Sequence, residues 1–284
     1  MFRRTLVVML ALFPALLPAT SQSYDIKAKI PDSAFTGKQR PDILGISADS
    51  TADTARAVFE SAFKGRPGAK TDIQQQKFGG TAVSYTSGLI FSVDAGNGEV
   101  LSANFTSPAS GNRAFFVARN LTFAPDQQPS RAEMVKQVID KYGAPTLVGD
   151  QHLYYVYRGG SITSVGAKYK ETAALEAIDK PLDPRMALKL NADSGRGSCV
   201  AVVKRALARE RTLGALLDDA KGANCDGVLS VQLTPGAPAD RAGTAHFTLL
   251  DVKRIVSAAA IDGEALAAEL NERNPQPKGS APKL

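Results

Sequence analysis

Tryptophan is absent from this chain, and phenylalanine and tyrosine bring the aromatic share only to 7%. A broad aromatic binding cleft is therefore not expected. Cysteine and histidine are equally scarce, with two of each. Cys199 and Cys225 lack the C-x-x-C spacing of a redox or zinc pair, so neither a redox role nor a metal site is expected. No Walker phosphate loop occurs, no G-x-G-x-x-G opens a helix after a strand, and no G-x-S-x-G elbow is present. Nucleotide-cofactor chemistry and the commonest serine-hydrolase frame have no motif here, and no cofactor is expected. Past residue 17 no apolar run reaches membrane-spanning length, so no integral anchor is expected in the mature chain.

What is present begins at the N-terminus. Arg3 and Arg4 precede an apolar run from Leu6 to Leu17, interrupted by Pro14, and small or polar residues follow from Ala19 to Ser23. A basic start, a short apolar core and a small-residue exit describe a secretory signal over residues 1–21, too short to span a bilayer comfortably. Cleavage is expected after Ser21, with a second usable exit after Ser23. The surroundings of Arg3-Arg4 fit a twin-arginine signal poorly, and no cysteine near the exit could take a lipid. The expected location is periplasmic or extracellular. The remaining length suits one large domain or two modest ones.

Net charge is +6, or +4 once Arg3 and Arg4 are set aside. That balance permits attraction to anionic surfaces without requiring it, and no nucleic-acid partner is expected. Basic residues thicken only at Arg196, Lys204, Arg205, Arg209 and Arg211, the weak candidates for binding an anionic envelope polymer. Glu210, Asp218 and Asp219 follow closely, which describes a solvated helix face as well. In an oxidising compartment an even cysteine count favours pairing, so Cys199 and Cys225 are expected to form a disulfide.

Ser50-Thr51-Ala52-Asp53 offers a capping box, and Ala55, Val58, Phe59, Ala62 and Phe63 follow at helical spacing. Gly65 to Gly68 stops that helix. Strands are expected over 78–85, 89–93, 100–105 and 114–123, an antiparallel meander with a hairpin turn at Asp94 to Glu99. Ser130 and Glu133 form a second box, with Met134, Val135, Val138, Ile139 and Tyr142 as stripe and Gly143 as stop. A strand at 153–157, a short helix near 173–178, a helix within 201–221, strands at 228–233 and 246–252 and a closing helix at 255–270 complete the reading. The fold class expected is α+β, an antiparallel sheet with the capped helices on one face. A tandem helix-then-strands duplication would account for the recurring pattern. The divisions expected are an irregular leader at 22–41, a module at 42–158, a disulfide-containing part at 159–273 packed on it, and a disordered tail at 274–284.

The helix ending in Lys141-Tyr142-Gly143-Ala144-Pro145 and leading to a Tyr-rich strand resembles junctions in exported bacterial α+β modules. These are the modules of β-lactamase inhibitory proteins and of the small lipoprotein of the outer-membrane assembly machine. Asp42-Ile43-Leu44-Gly45-Ile46, ahead of the first capped helix, resembles the start of the same module. Cys225-Asp226-Gly227 before Val228 is similar to the cysteine-bearing strand pair of exported proteobacterial proteins that contain it. The resemblance covers roughly 42–158 and, with less specificity, 199–252. It implies a protein that binds other proteins. Without a lipidated cysteine, the anchored role of the lipoprotein is not implied, and no inhibitory contact residues match.

Single chemistries can be weighed one by one. Ser61-Ala62-Phe63-Lys64 satisfies S-x-x-K, and Ser102-Ala103-Asn104 is near the second element of penicillin-recognising enzymes. Ser61 falls at a helix C-terminal end, however, and no K-T-G follows downstream. His152 and His246 both stand at expected strand starts, where a surface or edge position explains them, and Ser198 neighbours the expected disulfide. Asp94, Asn97 and Glu99 read as a turn before a calcium loop. Asp218 and Asp219 are adjacent and point apart on a helix. The sequons at Asn104 and Asn120 have no bearing unless the source glycosylates. No catalytic residue is assigned. The expected function is binding or envelope interaction, with another envelope protein or surface component as partner. A hydrolase lacking a recognisable motif and a polyanion binder using the 196–211 cluster are the alternatives.

Overall fold

Apolar side chains alternate along most strands, and both faces of the resulting sheet are covered by helices. The computed structural model describes residues 26–37, 40–79, 83–93, 97–163, 169–182, 199–208 and 211–273. Residues 1–25, where the signal is expected, residues 94–96 of the expected hairpin turn, Arg196, Ser198, Arg209 and residues 274–284 lie outside them. The described residues form a single nine-stranded antiparallel sheet and six helices, an α+β fold.

The strands are β1 (Lys70–Lys77), β2 (Ser84–Val93), β3 (Gly98–Phe105), β4 (Ala114–Thr122), β5 (Leu147–Gly149), β6 (His152–Arg158), β7 (Ser161–Ile162), β8 (Gly227–Pro235) and β9 (Ala242–Asp251). Their spatial order is β1-β2-β3-β4-β9-β8-β6-β5, with β7 paired to β6. The N-terminal meander therefore joins the C-terminal hairpin through β4 and β9, and that hairpin separates β4 from β6. The expected meander is present, but its first strand is displaced. Residues 78–83 connect β1 to β2, while β1 itself is the polar run Lys-Thr-Asp-Ile-Gln-Gln-Gln-Lys, exposed along its whole length. An outlying strand covered on neither face needs no apolar alternation, so the pattern that reveals strands is missing from it.

On one face Leu89, Phe91, Leu101, Tyr155, Leu229 and Leu249 are buried in a common core. It is shared with helix α1 (Ala52–Phe63) through Phe59 and Phe63, with α2 (Arg131–Tyr142) through Val135, Val138 and Tyr142, and with α3 (Glu171–Ala177) through Ala174. Each large apolar side chain removed from water contributes roughly 1.5–3 kcal/mol. Both helices whose boxes were legible lie on this face. The Ser130 cap is as expected, with its hydroxyl accepting from the Glu133 amide at 3.4 Å. For α1 the cap is Thr51, whose hydroxyl accepts from the Thr54 amide at 3.2 Å. Ser50 instead accepts from the Ser47 amide at 3.2 Å and closes the preceding turn. Gly143 ends α2 at φ +85°, a left-handed conformation that glycine adopts without Cβ strain.

The opposite face is also covered, beyond what the capped helices alone suggested. Phe116, Tyr154, Val228 and Leu250 pack there against α4 (Cys199–Ala208), α5 (Leu213–Lys221) and α6 (Val252–Arg273). The single helix read over 201–221 is two helices, and Thr212 caps the second by accepting from the Ala215 amide. The part of the leader described is docked rather than free. Ser33 donates to Asp251 Oδ2 at 2.6 Å, the Ala34 amide donates to Oδ1 at 3.0 Å, and Phe35 meets the Tyr157 ring edge at 4.8 Å.

Candidate functional site

The C-terminal helices pack on β4, β9, β8 and β6, α6 also meets Tyr85 of β2 near Ile261, and a cleft of about 490 Å³ opens over β1 to β3. Among the described residues, Gln74, Gln76, Ser87 and Asn104 supply its sheet side, Arg211 and Thr212 one wall, and Asp262 of α6 another. Two β-bulges border it. Gln74 pairs with Gly88 and Gln75 with Thr86, which leaves Ser87 as the extra residue, and Phe115 is extra between the pairs Asn104–Phe116 and Phe105–Ala114. Ser87 and Phe115 both line the cleft. A bulge reverses the alternation of faces beyond it, and in β2 this brings Tyr85 to the cleft along with Ile90. Gly88 lies in the floor, where a Cβ would stand 2.5 Å from Gln74 Oε1 and 3.1 Å from Asn104 Nδ2. The missing side chain is what lets those two amides reach over the strand.

Arg211 spans the Phe116 ring, with Cζ 4.8 Å from its centroid, and donates through Nη1 to Ser102 Oγ at 3.2 Å. Burial alone draws its guanidinium below the ordinary value. Asp262 accepts from Ser107 and Ser110, each at 2.7 Å and each on Oδ1. Burial pushes this carboxyl up, against the pull of the two hydroxyls. Tyr85 donates to Gln76 Oε1 at 3.1 Å, and its phenol is pushed up by burial and then by the Asp262 charge. The site can thus accept and donate hydrogen bonds at many points and offers one charge of each sign.

The residues singled out in the sequence fall in several places. Of the basic cluster, Lys204 is exposed, Arg205 pairs with Asp219 at 2.8 Å, and Arg211 turns into the cleft; these three share no common surface contact that would gather an anion. Arg196 and Arg209 lie outside the described residues. Cys225 is buried in the second core and is not without a partner, while the side chain of Cys199 lies outside the described residues. Ser61 is exposed on α1, and Ser102 belongs to the other face of the sheet, so the S-x-x-K elements do not converge. Glu99 is 6% exposed and held by Arg66 and by Arg119 Nε at 2.8 Å, a purely protein-satisfied carboxylate.

His152 does open β6, but His246 lies well inside β9; both are half-buried, and neither strand is at the sheet edge. They stand in one cross-strand row with Gln232 between them and Asn120 beyond. His152 Nδ1 lies 2.6 Å from the Asp150 carbonyl, and its ring stacks on Tyr154 with centroids 5.0 Å apart. Burial lowers both histidines. Among the described residues no three His, Cys, Asp or Glu side chains gather in a way that could hold a metal ion. No described helix is long and apolar enough to cross a membrane.

Sequence reasoning missed most of the cleft. Arg211 entered as one of five basic residues and Asn104 as a sequon, while Gln74, Tyr85 and Asp262 carried no signal. The site draws on β1, β2, β3, the start of α5 and the middle of α6, so no local spacing marks it. The chain matches no protein-family model, no curated protein and no solved structure.

Proposed function

We propose that this chain is an exported, non-catalytic binding protein and that its ligand occupies the cleft over β1 to β3. The observation that carries the reading is a concave space of about 490 Å³ with unspent amide, hydroxyl and charged groups on its sides. That volume falls within the usual range for small-molecule sites, where a few placed polar groups fix orientation. Nucleophilic or acid–base chemistry would call for a nucleophile within hydrogen-bond reach of a base. The one serine–carboxylate contact in the cleft, Ser107 to Asp262 at 2.7 Å, is shared with Ser110 on the same oxygen, and among the described residues no histidine or second carboxylate lines the cleft, an arrangement suited to holding rather than converting. The resemblance of residues 42–158 to β-lactamase inhibitory modules points in the same direction.

The test is native mass spectrometry of the mature protein after incubation with the low-molecular-mass fraction of an envelope extract. A bound small molecule released with unchanged mass supports the reading, provided that Arg211→Met reduces its retention. Release as a converted product, or retention unaffected by Arg211→Met, would count against it.

A protein partner is a second reading, favoured by one feature on the other face. Leu44 stands at φ +54° in a turn held by Asp42, whose Oδ1 accepts from the Gly45 amide at 2.7 Å. Shallow grooves flank it, one beside Met134, Val138 and Phe247 and the other beside Val58 and Ala62. A photo-crosslinking residue at position 44 should capture an envelope protein that the same probe at position 76 does not. Equal capture at both positions would remove this reading. The polyanion alternative predicts heparin retention that falls steeply with salt.

A further inference from the structure

The cleft contains two half-buried charges of opposite sign, and neither has a counter-ion among the described residues. This departs from how the chain treats charge elsewhere. Glu99 meets Arg66 and Arg119, Arg131 meets Asp179 at 2.7 Å, and Arg254 meets Asp49 at 2.9 Å. Buried charge is costly without a partner, and these three groups follow that rule. Among the described residues Arg211 has only the Ser102 hydroxyl and the face of Phe116, which leaves most of its five N–H donors unspent there. Asp262 takes both serine hydroxyls on Oδ1, leaving Oδ2 without a hydrogen-bond donor among the described residues. Between them the floor carries the Gln74 and Asn104 amides, brought together over Gly88.

We propose that the cleft selects a dipolar small molecule, its carboxylate seated on Arg211 and a hydroxyl or ammonium donor on Asp262 Oδ2. The guanidinium fork suits a planar carboxylate, and the unengaged oxygen of Asp262 suits a donor. The floor amides would meet the polar middle of the ligand. This rests on the cleft being the binding site. Two sources carry the required chemistry, a hexuronic acid and an α-amino acid, and they differ in the donor presented to Asp262.

The experiment is isothermal titration of the mature protein with D-galacturonate and L-serine, each beside a counterpart lacking the carboxylate, D-galactose and L-serinamide. Amide chemical shifts report whether the cleft is the place occupied. At least one acid should bind about 10- to 100-fold more tightly than its counterpart, the worth of a charge-assisted hydrogen bond. Preference for galacturonate assigns a hydroxyl donor, and preference for serine an ammonium. Arg211→Met should erase the preference, and Arg211→Lys, which retains charge without the fork, should keep it at lower affinity. Asp262→Asn should weaken acid and counterpart alike. Equal affinity for acid and counterpart, or a preference that survives Arg211→Met, overturns the dipolar assignment while the cleft remains a binding site. The dipolar assignment is likewise overturned if none of the four probes binds but an envelope extract shifts the cleft amides. If neither probes nor extract shift them, the binding reading falls too.

Discussion

Gly227 and Arg254 illustrate how single positions hold this fold together. A Cβ at Gly227 would stand 2.7 Å from both Ala34 Cβ and Phe35 Cζ and 3.1 Å from the Leu250 carbonyl. The leader lies directly over that glycine, so Gly227→Ala should cost about 1–3 kcal/mol by overpacking. Chemical denaturation measures it, and an unchanged midpoint would show that the leader is not seated there. Arg254 is 1% exposed, and its guanidinium bonds to Asp49 at 2.9 Å and to the Ala114 carbonyl at 3.2 Å, beside the fully buried Asp251. Arg254→Met leaves Asp251 without its cation and should destabilise by about 3–5 kcal/mol. A loss below about 1 kcal/mol, the range of an exposed pair, would contradict that account. The histidines carry a pH dependence. Burial lowers His152 and His246 in the folded chain, where Lys204 and Asp150 face His152 with opposing effects. Below the ordinary imidazole value near 6.5 the unfolded chain takes up protons that the folded chain resists. Their contribution is complete above that value and is lost as pH falls from about 6.5 through the lower folded values. Thermal midpoints should therefore drop between about pH 7 and pH 5, and the His152→Gln, His246→Gln double variant should flatten the drop. Neither Gly227 nor Arg254 could be recognised beforehand, because each is explained by segments more than 100 residues away.

Helices were more legible than strands, and the reason is local. A capping hydroxyl followed by an amphipathic stripe is written within one segment, and α1 and α2 were readable within a residue or two. The shift of the α1 cap to Thr51 arose because two hydroxyls stand side by side and the turn before them needed one. Strand β1 was unreadable since both its faces are exposed. Its lysines at both ends also discourage edge-to-edge pairing with another chain. The proposed Cys199–Cys225 disulfide belongs at this scale, because it would tie the start of α4 to the entrance of β8. Closing that loop is worth roughly 3.5 kcal/mol through the entropy of the unfolded chain. Intact mass after alkylation without reductant should show no modified cysteine, and reduction should lower the denaturation midpoint. Two alkylated thiols in the unreduced protein would refute the pairing. N-terminal sequencing of exported material should begin at Gln22, and a retained Met1 would refute the signal.

Over the whole molecule, the continuous sheet crosses the division expected at residue 158. β8 and β9 fill the space between β4 and β6, so residues 42–158 alone would leave two inner strands with unpaired edges and the second core without its helices. That segment should therefore be unfolded or aggregated when expressed by itself, with collapsed amide dispersion in its NMR spectrum. A well-dispersed spectrum would show that it is an independent module after all. The cleft exists only at this scale too. It results from a helical layer that covers the sheet only in part and leaves a space over β1 to β3 on one face.

Helix caps, helical stripes and the mixed α+β class were all legible along the chain, because each depends on neighbours a few positions apart. Strand order, the second helical layer, the buried Asp251–Arg254 pair and the meeting of Arg211 with Asp262 across one cleft were not. Those depend on which distant segments lie side by side, and residue spacing in a linear chain carries no record of that adjacency.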